Sequence, residues 1–245
     1  MQNNKHKVLT ALTLFMVMML SSCGGGYKKS PLDQIIRDLP NDQVFSVVLY
    51  DMDVEGSFIQ QYMHQYQIIS ENARGEIDDR TTDWYEVSEK EFNQYINDMG
   101  MEIAARDSTG KLSKSVAPPG YNNYVGNPKY GYWNNSGGSS FWAFYGQYAM
   151  LSSLFRMASY PVRRSYYDDW SGNYRGRDRR YYGPSGSGGR YYGTGSRYSR
   201  SSNPTASWNN RSRSFQQQVS QRVSRSSSRS SSSSSARSRG GSFGK

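Results

Sequence analysis

The sequence predicts an α+β protein, with a small antiparallel sheet and two helices, followed by an aromatic helix and a long disordered basic tail. Three observations carry that expectation. Two short stretches place apolar residues at helical spacing, and others are β-branched and aromatic as strands are. The resulting order αβββαβ makes successive strands antiparallel neighbours. Beyond Pro161, apolar residues become sparse while arginine, serine and glycine accumulate.

The folded part is expected at residues 31–115. Leu32-Asp33-Gln34-Ile35-Ile36-Arg37-Asp38-Leu39 reads as a helix that stops at Pro40. Gln43 to Tyr50 reads as a strand, and Asp51-Met52-Asp53-Val54-Glu55-Gly56 as a solvated hairpin turn. Tyr62 to Ile69 is the expected partner strand, Glu71 to Asp79 a polar loop, and Trp84 to Val87 a third short strand. Ser88-Glu89-Lys90-Glu91 is a capping box, in which Ser88 caps the helix and Glu91 reaches back. Phe92, Tyr95, Ile96 and Met99 then share one helical face, and Gly100 sits where a C′ glycine belongs. Met101 to Ala105 is the expected last strand before a Ser-Thr-Gly turn.

Residues 116–140 are rich in Pro, Gly, Asn and Tyr without any period, which reads as a linker or an extended aromatic arm. Residues 141–160 carry Phe141, Phe144, Tyr145, Tyr148, Leu151 and Phe155 at helical spacing. Gln147, Arg156 and the short apolar length argue against a membrane span. Three fates stay open for such a helix: packing on the domain, lying in a membrane interface, or pairing with another copy. Residues 161–245 mix Tyr pairs with Arg and Gly, then become almost entirely Ser and Arg, a composition too polar to offset the entropy of ordering.

Charge divides the chain as well. Net charge is +10, yet residues 161–245 hold 16 Arg and 1 Lys against 3 Asp, a net of +14, while residues 1–160 are at −4. Apolar residues make up 35% of the total, so a chain this polar is not expected to bury all of itself.

Lys5, His6 and Lys7 precede an uncharged run from Val8 to Leu20, the proportions of a secretory signal over residues 1–22. Leu20-Ser21-Ser22-Cys23 follows, and Cys23 is the only cysteine in the chain. That stretch resembles the bacterial lipobox. The resemblance implies cleavage between Ser22 and Cys23 and diacylation of the Cys23 sulfur, usually with acylation of the new amine. Residues 23–30 would then form the acylated cysteine and its tether. Two or more acyl chains give a stable anchor. Gly24 rather than Asp follows the cysteine, which leans towards the outer membrane where the host has one. As a whole, the chain resembles bacterial lipoproteins that join a small domain, an aromatic segment such as Ser139 to Phe155 and a tail ending like RGGSFGK; no activity carries over from that likeness.

Candidates for chemistry are few. His64, mid-strand, is the one histidine beyond the leader, and a lone imidazole assembles neither a metal site nor a nucleophile–base pair. The Asp51-Asp53-Glu55 pattern opens like a Ca²⁺ loop, but Tyr62 occupies the position where a bidentate Glu is needed. No catalytic residue, metal site or cofactor is therefore expected, and the protein reads as a non-enzyme. The tail carries a physical signal instead. Arg175, Arg177, Arg179, Arg180, Arg190, Arg197 and Arg200 are the expected polyanion-binding residues. Tyr166, Tyr167, Tyr174, Tyr181, Tyr182, Tyr191 and Tyr192 are interleaved with them and offer stacking faces. In the cytosol such a segment would suit RNA; an export signal makes nucleic acid an unlikely partner. The expected partners are membrane lipid through the anchor, anionic envelope polymers and an envelope protein. The basic tail also has an acidic domain within reach, so contact in cis is a further expectation.

Overall fold

The computed structural model describes residues 29–56, 59–177, 179–184 and 190–232. The fold is α+β and its main sheet is antiparallel, as the sequence predicts. Six strands build that sheet: β1 (Phe45–Glu55), β2 (Gln61–Glu71), β3 (Ile77–Thr81), β4 (Tyr85–Val87), β5 (Glu102–Arg106) and β6 (Leu112–Ser113). Their order is β3-β2-β1-β5-β6. β4 shares the outer edge of β2 with β3, pairing Tyr62 to His64 while β3 pairs Gln67 to Glu71.

One face of the sheet is covered by α1 (Pro31–Asp38) and α2 (Glu89–Tyr95). Leu32, Ile35 and Ile36 of α1 meet Phe45, Val47 and Leu49 of β1 and Ile68 of β2 in one buried cluster. Ser88 caps α2 as expected, its hydroxyl accepting the Glu91 amide at 3.1 Å. The Glu91 carboxylate does not reach back to Ser88; it accepts a hydrogen bond from the Ser30 hydroxyl and so ties α2 to the start of α1.

A β-bulge between Leu49 and Asp51 sets the rest of β1. Before it, Val47 and Leu49 pair with Ile68 and Tyr66; after it, Met52 and Val54 pair with His64 and Tyr62. The core face thus changes from odd to even residues in β1 while β2 keeps its parity. Asp51 and Asp53 leave the core face as a result. β5 pairs only with Phe45 to Val48, so beyond the bulge this edge of β1 has no strand neighbour among the described residues.

Four expectations are corrected. The polar stretch Glu71–Asp79 contains part of β3, an outer strand whose residues from Asp78 to Thr81 face solvent and so carry no apolar alternation. Residues 116–140 are not an arm: Tyr121, Tyr124 and Tyr130 are buried, and the segment ends in β7 (Gly131–Ser136). Residues 141–160 are not one aromatic helix. They hold β8 (Ser139–Phe144), which pairs with β7, then a 3₁₀ turn (Gly146–Tyr148) and the short helix α3 (Ala149–Leu154). Leu151 and Phe155 pack in the cluster beneath the second face of the sheet, with Val48 and Ile69, which is the domain-packing outcome. Gly120 at φ +80° lies so close to the Phe155 ring that an added Cβ would sit 2.5 Å from it.

The fourth concerns the tail expected to be disordered over 161–245. Described residues there form α4 (Arg164–Asn173), α5 (Arg197–Ser202), α6 (Ser207–Asn210) and α7 (Arg213–Ser232). Trp170, Tyr181, Tyr192, Tyr198, Trp208 and Val219 from these segments are all buried. A buried ring removes some 150–250 Å² from water, so a few of them anchor a segment whose average composition is polar. Residues 233–245 lie outside the described residues, as do the leader, Ser22, Cys23 and the tether to Lys28.

Candidate functional site

The arginines that the sequence marks as a polyanion-binding set divide into two groups. Arg180 is committed inward: its Nε donates to Asp98 Oδ2 at 2.8 Å and its Nη2 to the Gln94 carbonyl at 2.8 Å. Asp98 is fully buried and also accepts the Tyr182 hydroxyl at 2.8 Å. Burial pushes the Asp98 carboxyl above its usual range, against the opposing pull of Arg180. Arg190 joins the same turn, donating to Asn97 Oδ1 at 2.9 Å with its guanidinium 4.4 Å from the Tyr182 ring centre.

The other group faces solvent. Arg175, Arg177, Arg179, Arg197 and Arg200 are exposed, as Arg190 is. Arg175 lies over Trp170 and Arg179 over Tyr174, while Arg177 donates to the Asn173 carbonyl at 3.3 Å. Arg175, Arg177 and Arg179 thus form one cationic ridge following α4, continued through Arg180 and Arg190 at the Asn97–Asp98 turn.

The interleaved tyrosines are drawn at least partly into the protein. Tyr181 and Tyr192 are buried, and Tyr166, Tyr167, Tyr174, Tyr182 and Tyr191 are partly buried. They stack on one another and on core residues: Tyr174 on Tyr181, Tyr167 on Trp170, Tyr191 on Tyr192. Rings packed in this way hold the segment in place rather than offer open faces to a nucleobase.

Three carboxylates bind the C-terminal segments; the sequence places two of them in a hairpin turn and the third, Asp98, at the end of a helix. Asp51 accepts the Ser207 and Trp208 amides at 2.6 and 3.3 Å, as well as the Met52 amide at 2.7 Å. Asp53 takes a bidentate pair from Arg211, both contacts 2.8 Å, and the Val54 amide. Asp98 is the third. The solvated hairpin turn expected at Asp51 to Gly56 is therefore corrected: Asp51 and Asp53 are buried because residues 203–211 lie along the open edge of β1. Two β1 carbonyls there, of Tyr50 and Val54, are met by the side chains of Asn203 and Arg211. The opposite charges of the two chain halves hinted at such contacts, but no local pattern names the partners.

Two strongly perturbed acid–base groups are enclosed. His64 is fully buried, stacks on Phe92 at 5.4 Å, and meets the Tyr66 hydroxyl at 3.2 Å through Nδ1. Burial lowers its pKa to about 3, so the ring stays neutral. Glu102 is also fully buried, accepting the Gly120 amide at 3.1 Å and the Asn122 side-chain amide at 2.5 Å. Burial raises it to about 7. Neither lines the cleft described next. Among the described residues no group of three or more His, Cys, Asp or Glu side chains could hold a metal ion, and no helix is long and apolar enough to cross a membrane.

A cleft of about 420 Å³ opens between the second face of the sheet and the C-terminal helices. Gln67, Asp79 and Thr81 line its floor, and Arg156, Ser199 and Asn203 its walls. The sequence contains no signal for it, because its residues come from β1, β2, β3, the end of α3 and α5. Compared with protein-family models, with curated proteins and with solved structures, the chain matches none.

Proposed function

We propose that this chain is a non-catalytic bacterial envelope lipoprotein. Acylated Cys23 holds it to a membrane, the outer one where the host has two, and a basic surface contacts anionic envelope polymers. The observation that carries the reading is the solvent-facing ridge of Arg175, Arg177 and Arg179, with Arg190 alongside. These guanidiniums are presented by a folded segment rather than by a free brush, so they keep a fixed spacing. Association would still be dominated by charge and would weaken as salt rises. The nucleic-acid alternative loses support because the tyrosines that would stack on bases are packed into the core. An envelope protein with an acidic face remains a partner of the same chemistry.

Two measurements test this reading. The native protein should partition into the detergent phase and Cys23→Ser should not; a Cys23→Ser chain that still follows membranes rules out the anchor. The combined change Arg175→Gln, Arg177→Gln and Arg179→Gln should weaken binding to purified lipopolysaccharide or teichoic acid about tenfold or more at low salt. Unchanged binding removes the ridge from the function.

A further inference from the structure

Arg156 is the only non-glycine described residue with positive φ, at +52°. It follows α3 in a C-terminal cap where its own amide donates to the Ser153 carbonyl and the Met157 amide to the Ser152 carbonyl. Glycine is the usual residue at that left-handed position, since a side chain there is strained. An arginine kept against that preference needs another reason, and its location supplies one. Its side chain lines the 420 Å³ cleft, a volume within the range of small-molecule sites. Its Nη2 donates to the Ser202 carbonyl at 3.2 Å, which aims the guanidinium across the cleft wall.

An opposite charge lines the same cleft. On its floor, Asp79 accepts a hydrogen bond from Gln67 Nε2 at 2.9 Å through one oxygen. Asp79 is exposed, and no salt bridge engages it among the described residues.

We infer that this cleft binds a small zwitterion, a free amino acid or short peptide, with its carboxylate on Arg156 and its ammonium on Asp79. Ligands with charge of a single sign fit less well. A polyanion meets Asp79, and a simple cation leaves Arg156 unanswered. Val48, Ile69 and Leu154 supply an apolar strip for the ligand's carbon skeleton. This site is separate from the arginine ridge and stands whether or not the ridge binds polymers.

Calorimetric titration of the full-length chain in detergent would use alanine, glutamate, lysine and dialanine, each beside its N-acetylated and methyl-esterified forms. At least one free form should bind at least tenfold more tightly than either of its blocked forms. Arg156→Gly should remove that preference without lowering the melting temperature, since glycine suits the backbone. Asp79→Asn should reduce the affinity of the free form to that of the N-acetylated one and leave the latter unchanged. Absence of binding by every free form, equal binding of free and blocked forms, or full affinity in Arg156→Gly would each overturn the assignment.

Discussion

Residues 31–116 and residues 117–232 enclose their cores with different chemistry. In the first, the buried side chains are mainly aliphatic and lie on strands and helices: Leu32, Ile35, Val47, Leu49, Ile68 and Ile103 form one continuous cluster. In the second they are mainly aromatic, and many come from loops, among them Tyr121, Tyr124, Tyr130, Tyr181 and Tyr192. Aliphatic residues need regular spacing to bury a face. Tyrosine and tryptophan bury a large area from one position, and a hydroxyl lets the ring end at a polar partner, as Tyr130 does at Glu71 (2.6 Å) and Tyr182 at Asp98 (2.8 Å). A sheet can therefore be covered by chain that has little secondary structure of its own.

That contrast can be broken most sharply with acid. His64 keeps a folded pKa of about 3 against an ordinary 6.5, so its contribution is complete above pH 6.5 and is lost as pH falls towards 3. The loss should reach about 5 kcal/mol. Urea midpoints at pH 7, 5 and 3.5 should show it in a Glu102→Gln background, where no opposing titration masks it, and adding His64→Leu should flatten that limb. If the two regions depend on one another, Tyr and Trp fluorescence from the second will be lost at the same midpoint as the sheet's circular dichroism.

Trp208→Ala cuts the connection from the other side. The ring packs against Phe92 at 5.8 Å within the cluster holding Met52 and Val54, so its loss should cost about 3–5 kcal/mol. Limited proteolysis should then cleave first after residue 203. Cleavage spread evenly over the chain would mean that the wrap and the sheet unfold as one.

Glu102 titrates in the opposite sense to His64. Its folded pKa is raised from 4.5 to about 7, so the stability it brings is complete below pH 4.5 and is lost as pH rises through 7. The loss is about 3 kcal/mol. In a His64→Leu background, where this decline stands alone, Glu102→Gln should remove it between pH 5 and 8. Between 4.5 and 6.5 the two titrations offset one another, which should leave the wild type nearly insensitive there.

The smallest effect sharpens the comparison at the Asp98 clasp. Arg180→Ala leaves a buried carboxylate with the Tyr182 hydroxyl and the more distant charge of Arg190 but no ion-pair partner, and should cost about 3 kcal/mol. Asp98→Asn frees an arginine that reaches solvent, and should cost nearer 1 kcal/mol. Equal penalties in urea unfolding would show that burial of Asp98 matters less than its position implies.

Legibility followed the same divide. α1, β1, β2, the Ser88 cap and the apolar face of α2 carry period or capping patterns, and each stands close to where the sequence places it. β3 escaped notice because Asp78 to Thr81 lie exposed on an outer strand and need no alternation. Beyond Val116 the decisive contacts join residues far apart, such as Asp53 with Arg211 and Asp98 with Arg180, and no local window contains both partners. The aromatic run from Phe141 fits helical spacing, yet Phe141 to Phe144 pair as a strand with Asn134 to Gly131. Of the candidate sites, the arginine ridge was readable from composition; the cleft was not.

The bare flank of β1 is sealed by residues 203–211, near the far end of the chain. A ribosome releases residues 45–55 about 150 positions earlier. Until its last fifth arrives, the growing polypeptide carries an unguarded strand whose amides and carbonyls invite a stranger's backbone. Maturation of this molecule is thus a race between its own late-arriving segment and intermolecular pairing. Truncation before residue 203 should yield aggregates rather than a smaller soluble form.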